Sequence, residues 1–183
     1  DWMLAQGAEI RYVTSLGVGV DLSLAGRADD ERSAPTRARS AVNDFLGGDG
    51  RFPVDPPVTE GTFGGATARL DIHRGTTRWM VGADVLAGAG GQTAKVFGEW
   101  RRPLWSARLA PSLTLRGGVA TARPLPQSAF RIGGPWTARA FPYGSAVGAA
   151  FWASQLDLPL ARGVVRPVVF ADAAQAGAVD GIL

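Results

Sequence analysis

The chain has 183 residues and a formal net charge of +3, from 19 lysines and arginines against 16 aspartates and glutamates. It has no cysteine, which excludes disulfides, thiolate metal sites and cysteine nucleophiles. The basic residues are scattered and form no cluster, so nucleic acid is not an expected partner. No run of about 18 apolar residues occurs, and the sequence therefore predicts no transmembrane helix.

Alternation of polar and apolar residues is the dominant pattern along the chain. In the stretch GGATARLDIHRG, Thr67, Arg69 and Asp71 share one parity, whereas Ala68 and Leu70 share the other. A period of two is typical of a strand with one polar and one apolar face. The pattern predicts an all-β fold with eight strands. These strands cover about residues 2–14, 18–29, 62–74, 77–89, 92–103, 107–120, 146–159 and 163–174.

The lengths and spacing of the strands favour a membrane protein. Each has about 10 to 13 residues, against about 9 to 11 needed to cross a bilayer at a tilt and about 5 or 6 in soluble proteins. Short turns alternate with the connections at 30–61, 90–91 and 121–145. Outer-membrane barrels have short periplasmic turns and long extracellular loops, an asymmetry that β-sandwiches normally lack. We therefore expect residues 1–183 to form a segment of an antiparallel transmembrane β-barrel in a bacterial outer membrane, with the lipid bilayer as partner and 30–61 as a long extracellular loop.

Strand parity also predicts which way the side chains of this barrel point. The apolar parity should face lipid and the polar parity the lumen, where opposite charges pair across strands. The predicted outward residues are Leu70, Val96, Leu113 and Leu156, and the predicted inward residues are Arg69, Lys95, Thr114 and Asp157. The tryptophans near strand ends or on the apolar parity are Trp79, Trp100, Trp105 and Trp152. They fit an aromatic girdle at the membrane interface, with core packing as the alternative.

Three stretches near the C-terminal end of the sequence indicate a family resemblance. They are the irregular stretch RIGGPWTARAFPYGSAVG, then AFWASQLDLPL, then RPVVFADAAQ. Over about residues 60–177, this order resembles the C-terminal barrel region of the BamA/TamA-like superfamily of outer-membrane barrels, the bacterial surface antigen type. Members of that superfamily assemble barrel proteins or serve two-partner secretion. The resemblance implies a barrel of about 16 strands, of which the eight strands here are the middle ones. It also implies that the connection at 121–145 folds back into the lumen.

The resemblance assigns particular residues to this lumen loop. The loop tip of the family is Val-Arg-Gly-Phe or Val-Arg-Gly-Tyr after a Gly-Gly pair. Here Gly133 and Gly134 precede Arg139 and Phe141, with Ala140 in place of the glycine between them. The glycines let the chain turn back sharply, and we expect Phe141 to contribute apolar contact against the barrel wall.

The partner motif of the family is Phe-x-Asp-x-Gly. It corresponds to Phe170 and Asp172, with Ala174 in place of the last glycine. Asp172 shares the polar parity of its strand with Arg166, so we expect it to point into the lumen. An arginine carried inward can pair with that carboxylate, which offsets the cost of burying either charge. We therefore expect an Arg139–Asp172 ion pair that holds the loop inside the barrel. The alternative is a solvated extracellular loop with an incidental arginine.

The sequence offers no motif for covalent chemistry. His73 is the only histidine, and neither a Gly-x-Ser-x-Gly elbow nor a His-Glu-x-x-His helix occurs. No metal-ligand spacing emerges either. We expect the chain not to be an enzyme, with no catalytic residue, metal or cofactor.

These observations predict an outer-membrane barrel domain that resembles insertases and translocases of β-rich proteins, with unfolded barrel polypeptides or secreted polypeptides as substrates. Two alternatives stay open. The first is the membrane anchor or secretion barrel of an attached enzyme, for example a patatin-like one. The second is a small passive eight-stranded barrel. If the long loops are extracellular, both chain ends lie on that side, so we expect a fragment of a larger polypeptide.

Overall fold

The computed structural model describes residues 3–33, 58–105, 109–161 and 166–178, and these ranges are all-β apart from one 3-10 turn at Pro126–Ser128. In chain order the strands are β1 (Met3–Gly17), β2 (Val20–Ser33), β3 (Gly61–Arg74), β4 (Thr77–Gly88), β5 (Gly91–Pro103), β6 (Ser112–Ala120), β7 (Phe130–Ile132), β8 (Ala146–Gly148), β9 (Ala150–Pro159) and β10 (Val168–Gly177). Within the described ranges, no helix has the length and apolar character needed to span a membrane.

The eight long strands form one open antiparallel sheet. Strands β1 to β6 each pair with their neighbour in the chain, β6 pairs with β9, and β9 pairs with β10. The short strands β7 and β8 pair with each other in a separate sheet. In the described residues β1 and β10 are the two edges and do not pair. The eight antiparallel strands are therefore confirmed, but they do not close into a barrel. A closed eight-stranded barrel has room inside for side chains only, whereas this sheet carries a whole loop on its polar face.

Two strand boundaries differ from the sequence prediction because of local geometry. The first hairpin turns at residues 18–19 and not at 15–17, since Gly19, with a φ of 72°, supplies a left-handed turn residue. The predicted strand 146–159 is split at Ala149, because its first three residues leave the main sheet to pair with β7 as β8.

Two other boundaries shift along the chain. Residues 30–33 of the predicted connection 30–61 continue β2, and residues 34–57 lie outside the described ranges. The last predicted strand, 163–174, corresponds to β10, which begins at Val168 and ends three residues further along. Residues 166–167 precede the strand, and residues 163–165 lie outside the described ranges.

The register of the sheet separates two faces. One row of the apolar face contains Leu24, Ala68, Ala83, Val96 and Val119, which are direct neighbours on β2 to β6. Strand parity adds Leu70, Leu113 and Leu156 to this face. The opposite, polar face carries Arg69, Lys95, Thr114 and Asp157. The predicted division of these side chains between two faces is confirmed.

Ion pairs link neighbouring strands on the polar face. Arg78 on β4 lies 2.8 Å from Asp71 on β3, which also pairs with Arg69 at 2.6 Å. Arg116 on β6 lies 2.7 Å from Glu99 on β5. Because these groups are only partly exposed, pairing offsets the cost of removing them from water. The predicted charge pairing is confirmed for these residues.

Gly148 in β8 provides a test of this architecture. A Cβ at this position would lie 2.3 Å from the backbone nitrogen of Gly177 at the end of β10. Backbone atoms cannot move aside cheaply, so Gly148→Ala should lower the free energy of unfolding by about 1–3 kcal/mol. Urea unfolding, followed by tryptophan fluorescence, measures the change.

The control variant is Gly64→Ala on the apolar face, where a Cβ would meet nothing within 4 Å. It should leave the free energy of unfolding within about 0.5 kcal/mol of the parent. Equal unfolding midpoints for the two variants would show that β8 does not approach β10 this closely.

Candidate functional site

The connection at 121–145, which we call the inner loop, lies across the polar face of the sheet. It leaves β6, runs through β7, turns at residues 133–145 and returns through β8. Hydrogen bonds join it to side chains on β2, β5, β6, β9 and β10. The loop therefore lies against the polar face of the sheet.

Arg139 fixes the tip of the inner loop to the sheet. Its Nε and Nη2 donate to Oδ2 and Oδ1 of Asp172 on β10 at 2.9 and 2.6 Å, which is a two-bond fork. Its backbone N–H donates to the same Oδ2 at 2.8 Å, and its Nη1 donates to Asp157 on β9 at 2.5 Å. The guanidinium carbon lies 4.1 Å from the centre of the Phe170 ring. The expected ion pair is present, and Asp157 adds a second carboxylate to it.

Burial makes this pairing important for stability. The Asp172 side chain is 4% exposed, whereas those of Arg139 and Asp157 are about one quarter exposed. A carboxylate so far from water is costly unless donors surround it, and Arg139 alone supplies three. Arg139 of the inner loop is thus shared between two carboxylates, one on β9 and one on β10.

Gly133 and Gly134 give the tip its shape. Their φ angles are 114° and 75°, in the region that favours glycine. A Cβ on Gly133 would lie 1.8 Å from the carbonyl oxygen of Pro142, so the two limbs of the tip touch there. The N–H of Gly134 donates to the carbonyl of Phe141 at 2.8 Å. The backbone that presents Arg139 therefore requires glycine at position 133 at least.

Two side chains of the sheet hold the main chain just before the arginine. Arg116 donates through Nη1 to the carbonyl of Trp136 at 2.6 Å, and Gln155 donates through Nε2 to the carbonyl of Pro135 at 3.1 Å. Arg116 also bonds to Gln155. The polar residues of β6 and β9 thus continue the attachment that Arg139 makes to β10.

Phe141 does not have the contact that was expected. Its side chain is 59% exposed, so it contributes little apolar area against the sheet. The N–H of Phe141 donates to the carbonyl of Ala138 at 3.1 Å and closes a tight turn. This turn separates the Phe141 ring from the largely buried arginine. The aromatic contact comes instead from Phe130, whose ring centre lies 4.6 Å from that of Phe151 on β9.

A second anchor, which the sequence analysis missed, fixes the start of the inner loop. The side chain of Leu125 is buried in a hydrophobic cluster with Phe63 on β3 and Leu86 on β4. Its backbone N–H donates to the buried hydroxyl of Thr93 on β5 at 2.7 Å. The available signal was a leucine between two prolines within a polar connection.

Gln127 completes this second anchor. Its Nε2 donates to Glu31 on β2 at 3.0 Å and to the carbonyl of Thr59 at 3.2 Å, and its Oε1 accepts from the N–H of Thr59 at 3.2 Å. Glu31 is fully buried, with Arg27 at 3.6 Å. One glutamine therefore ties the inner loop both to β2 and to the chain that enters β3. No sequence pattern indicated it, because its partners are 68 and 96 residues away.

Within the described ranges, the arrangement positions a loop on the polar face of the sheet. In the described part of the chain, no group of three or more His, Asp and Glu side chains could hold a metal ion. His73 is exposed at the end of β3, where its backbone N–H donates to the carbonyl of Gly19 at 2.7 Å. The chemistry of the site is that of ion pairs and hydrogen bonds.

Comparison with known proteins identifies no family. No family model matches the chain, and no curated protein matches it. The resemblance therefore depends on the motif residues themselves, which are Gly133, Gly134, Arg139, Phe141, Phe170 and Asp172.

Arg139→Ala should free the loop tip more than Asp172→Ala does. Without the arginine, Asp172 and Asp157 lose their shared cation, and removing one partner of a buried ion pair costs about 3–5 kcal/mol. Asp172→Ala leaves Arg139 paired with Asp157. The rate at which protease cleaves the inner loop of the purified protein in mild detergent measures the effect. The double variant should add little to Arg139→Ala, because the residues act as one unit.

Two further variants make this test specific. Arg123→Ala removes an exposed arginine of the same loop and should leave the cleavage rate unchanged. Arg139→Lys should give an intermediate rate, because an ammonium cannot form the two-bond fork. An unchanged rate in Arg139→Ala, or additive effects in the double variant, would contradict the role given to the ion pair.

Gln127→Ala should loosen the start of the loop and leave the tip in place. The change removes the amide donor from the buried Glu31 carboxylate, at a cost of about 1–3 kcal/mol. Hydrogen exchange should therefore become faster at residues 121–129 and stay the same at 133–145. Gln92→Ala, at an exposed position on β5, is the control. Equal acceleration in both segments would show that the two anchors are not independent.

Proposed function

We propose that the chain is a segment of a bacterial outer-membrane β-barrel that inserts or translocates β-rich polypeptides. The observation that carries this proposal is the inner loop held on the polar face by Arg139 and Asp172, with Phe170 against the guanidinium. The resemblance to barrel-assembly and secretion proteins implies this arrangement. In the proposed barrel, the polar face lines the lumen and the inner loop lies within it.

The composition of the apolar face supports the membrane placement. On the described strands its charged residues are all near strand ends, and they are Asp30, Arg32, Arg74 and Arg102. Between these ends large apolar side chains are exposed, such as Ile10 at 82% and Val81 at 52%. An apolar band with charge only at its two rims fits the hydrocarbon layer of a membrane, which is about 25–30 Å thick.

The proposed activity needs no acid, base or nucleophile. Its physical step is strand addition, in which an incoming polypeptide pairs its backbone with an exposed strand edge of the barrel. Strands β1 and β10 both have unpaired edges in the described residues. Because unpaired backbone groups are costly in lipid, further strands complete the proposed barrel wall, and the substrate-binding edge lies among them.

Single-cysteine labelling tests the membrane placement, since the chain has no cysteine of its own. Ala68→Cys is on the apolar face and Thr67→Cys is the adjacent position on the polar face. Each introduced cysteine is labelled with a nitroxide, and the protein is placed in membranes. Lipid-soluble oxygen should speed the electron-spin relaxation of the label at position 68 and should not speed that of the label at position 67. Equal relaxation of both labels by a water-soluble nickel chelate would contradict a face in contact with lipid.

Depletion of the protein from the cell that makes it tests the activity. The amount of folded, heat-modifiable barrel protein in the outer membrane should fall, and Arg139→Ala should restore it less well than Arg123→Ala. Unchanged barrel proteins would contradict the proposal. In that outcome, a loss of fatty acid release would favour the anchor of an attached esterase, and no defect at all would favour a passive barrel.

A further inference from the structure

Two arginines lie at the end of the apolar face where the short turns are, and the proposed function assigns no role to them. Arg74 ends β3 and shares the parity of Ile72, and Arg102 is the direct neighbour of Leu113 near the end of β5. Both arginines are exposed. Among the described residues, neither forms an ion pair with a carboxylate. Two cations therefore stand unneutralised at one border of the apolar band.

Two tryptophans lie at the same border of the apolar face, and a third lies just beyond the end of β5. Trp79 and Trp100 are direct cross-strand neighbours on the apolar face, in the row next to the strand ends. Trp105 follows the end of β5 and is 56% exposed. We call Arg74, Arg102 and these three tryptophans the turn-side rim. Indole rings prefer the interface between hydrocarbon and polar head groups, so the rim combines an interfacial anchor with positive charge.

The opposite border of the apolar face has a different charge balance. Asp30 and Arg32, near the end of β2, pair with each other at 2.8 Å, so their charges cancel. On the described strands between the two borders, the apolar face carries no charged residue. On the apolar face of the described strands, the arginines that have no carboxylate partner are thus those of the turn-side rim.

We propose that the turn-side rim binds the head groups of anionic phospholipids, such as phosphatidylglycerol. This inference rests on the proposed function, which places the apolar face in lipid and the short turns at the periplasmic leaflet. A guanidinium forms two parallel hydrogen bonds with a phosphate, and the net negative charge of an anionic head group adds an attraction that a zwitterionic head group lacks. Each arginine near an anionic lipid surface strengthens binding about fivefold, so the pair should favour anionic lipid by about 25-fold.

Quenching of tryptophan fluorescence by brominated lipids tests the proposal directly. The purified full chain is placed in micelles of a neutral detergent, and phosphatidylglycerol or phosphatidylcholine with brominated acyl chains is added. The wild-type chain should reach half-maximal quenching at an about 25-fold lower fraction of phosphatidylglycerol than of phosphatidylcholine. In the double variant Arg74→Gln, Arg102→Gln, the two lipids should quench equally, because the cations that distinguish them are absent.

The control is Arg32→Gln at the opposite border, which should keep the preference because Arg32 is already paired with Asp30. Equal quenching by the two lipids in the wild type, or a preference that survives in the double variant, overturns the proposal. If inorganic phosphate removes the preference and chloride at the same ionic strength does not, the rim is a free-phosphate site and the assignment to lipid is wrong. No quenching by either lipid contradicts the proposed function itself, and this inference with it.

Discussion

Segregation of charge onto one face of the sheet is the constraint on which the rest of the structure depends. Strands with a period of two place Asp71, Glu99 and Asp157 on the same side as their cationic partners. Groups that are partly removed from water must find opposite charges, and the nearest ones lie across the strand pairing. The polar face is therefore a network, and a loop that carries a cation can join it.

The inner loop joins this network at two places near opposite edges of the sheet. Gln127 reaches Glu31 on β2, and Arg139 reaches Asp172 on β10. In both contacts a nearly or fully buried carboxylate of the sheet receives donors from the loop. The loop thus covers the carboxylates that would otherwise be the most costly groups on the polar face, and the sheet in turn fixes a segment that has little regular structure of its own.

The apolar side has no comparable partner among the described residues, and this asymmetry connects the fold with the proposed function. The buried hydrophobic cluster is small and lies on the polar side, around Phe63, Leu86 and Leu125. Large apolar side chains on the other face are exposed. A water-soluble sheet normally hides such a face against a second layer, whereas a membrane covers it with hydrocarbon. In the proposed barrel, lipid covers the apolar face and the inner loop covers part of the polar face.

The strands and their faces could be predicted from the sequence because strand parity is a local property of the backbone. Once residues 168–177 are extended, Asp172 has to point to the same side as Phe170, whatever the rest of the chain does. The same reasoning placed Arg69 and Leu70 on opposite faces. Boundaries were less predictable, because the end of β2 and the separation of β8 from β9 depend on which neighbour each residue finds.

The sequence by itself determined eight strands, two chemically distinct faces and a carboxylate that needs a cation. Only the tertiary structure decided that the sheet is open, that Asp157 shares Arg139, that Phe141 is exposed and that Gln127 binds Glu31. A strand has a repeating backbone, so its side-chain directions follow from position alone. The inner loop has no repeat, and its contacts join residues as far as 96 positions apart, so they emerge only when the whole path of the chain is known.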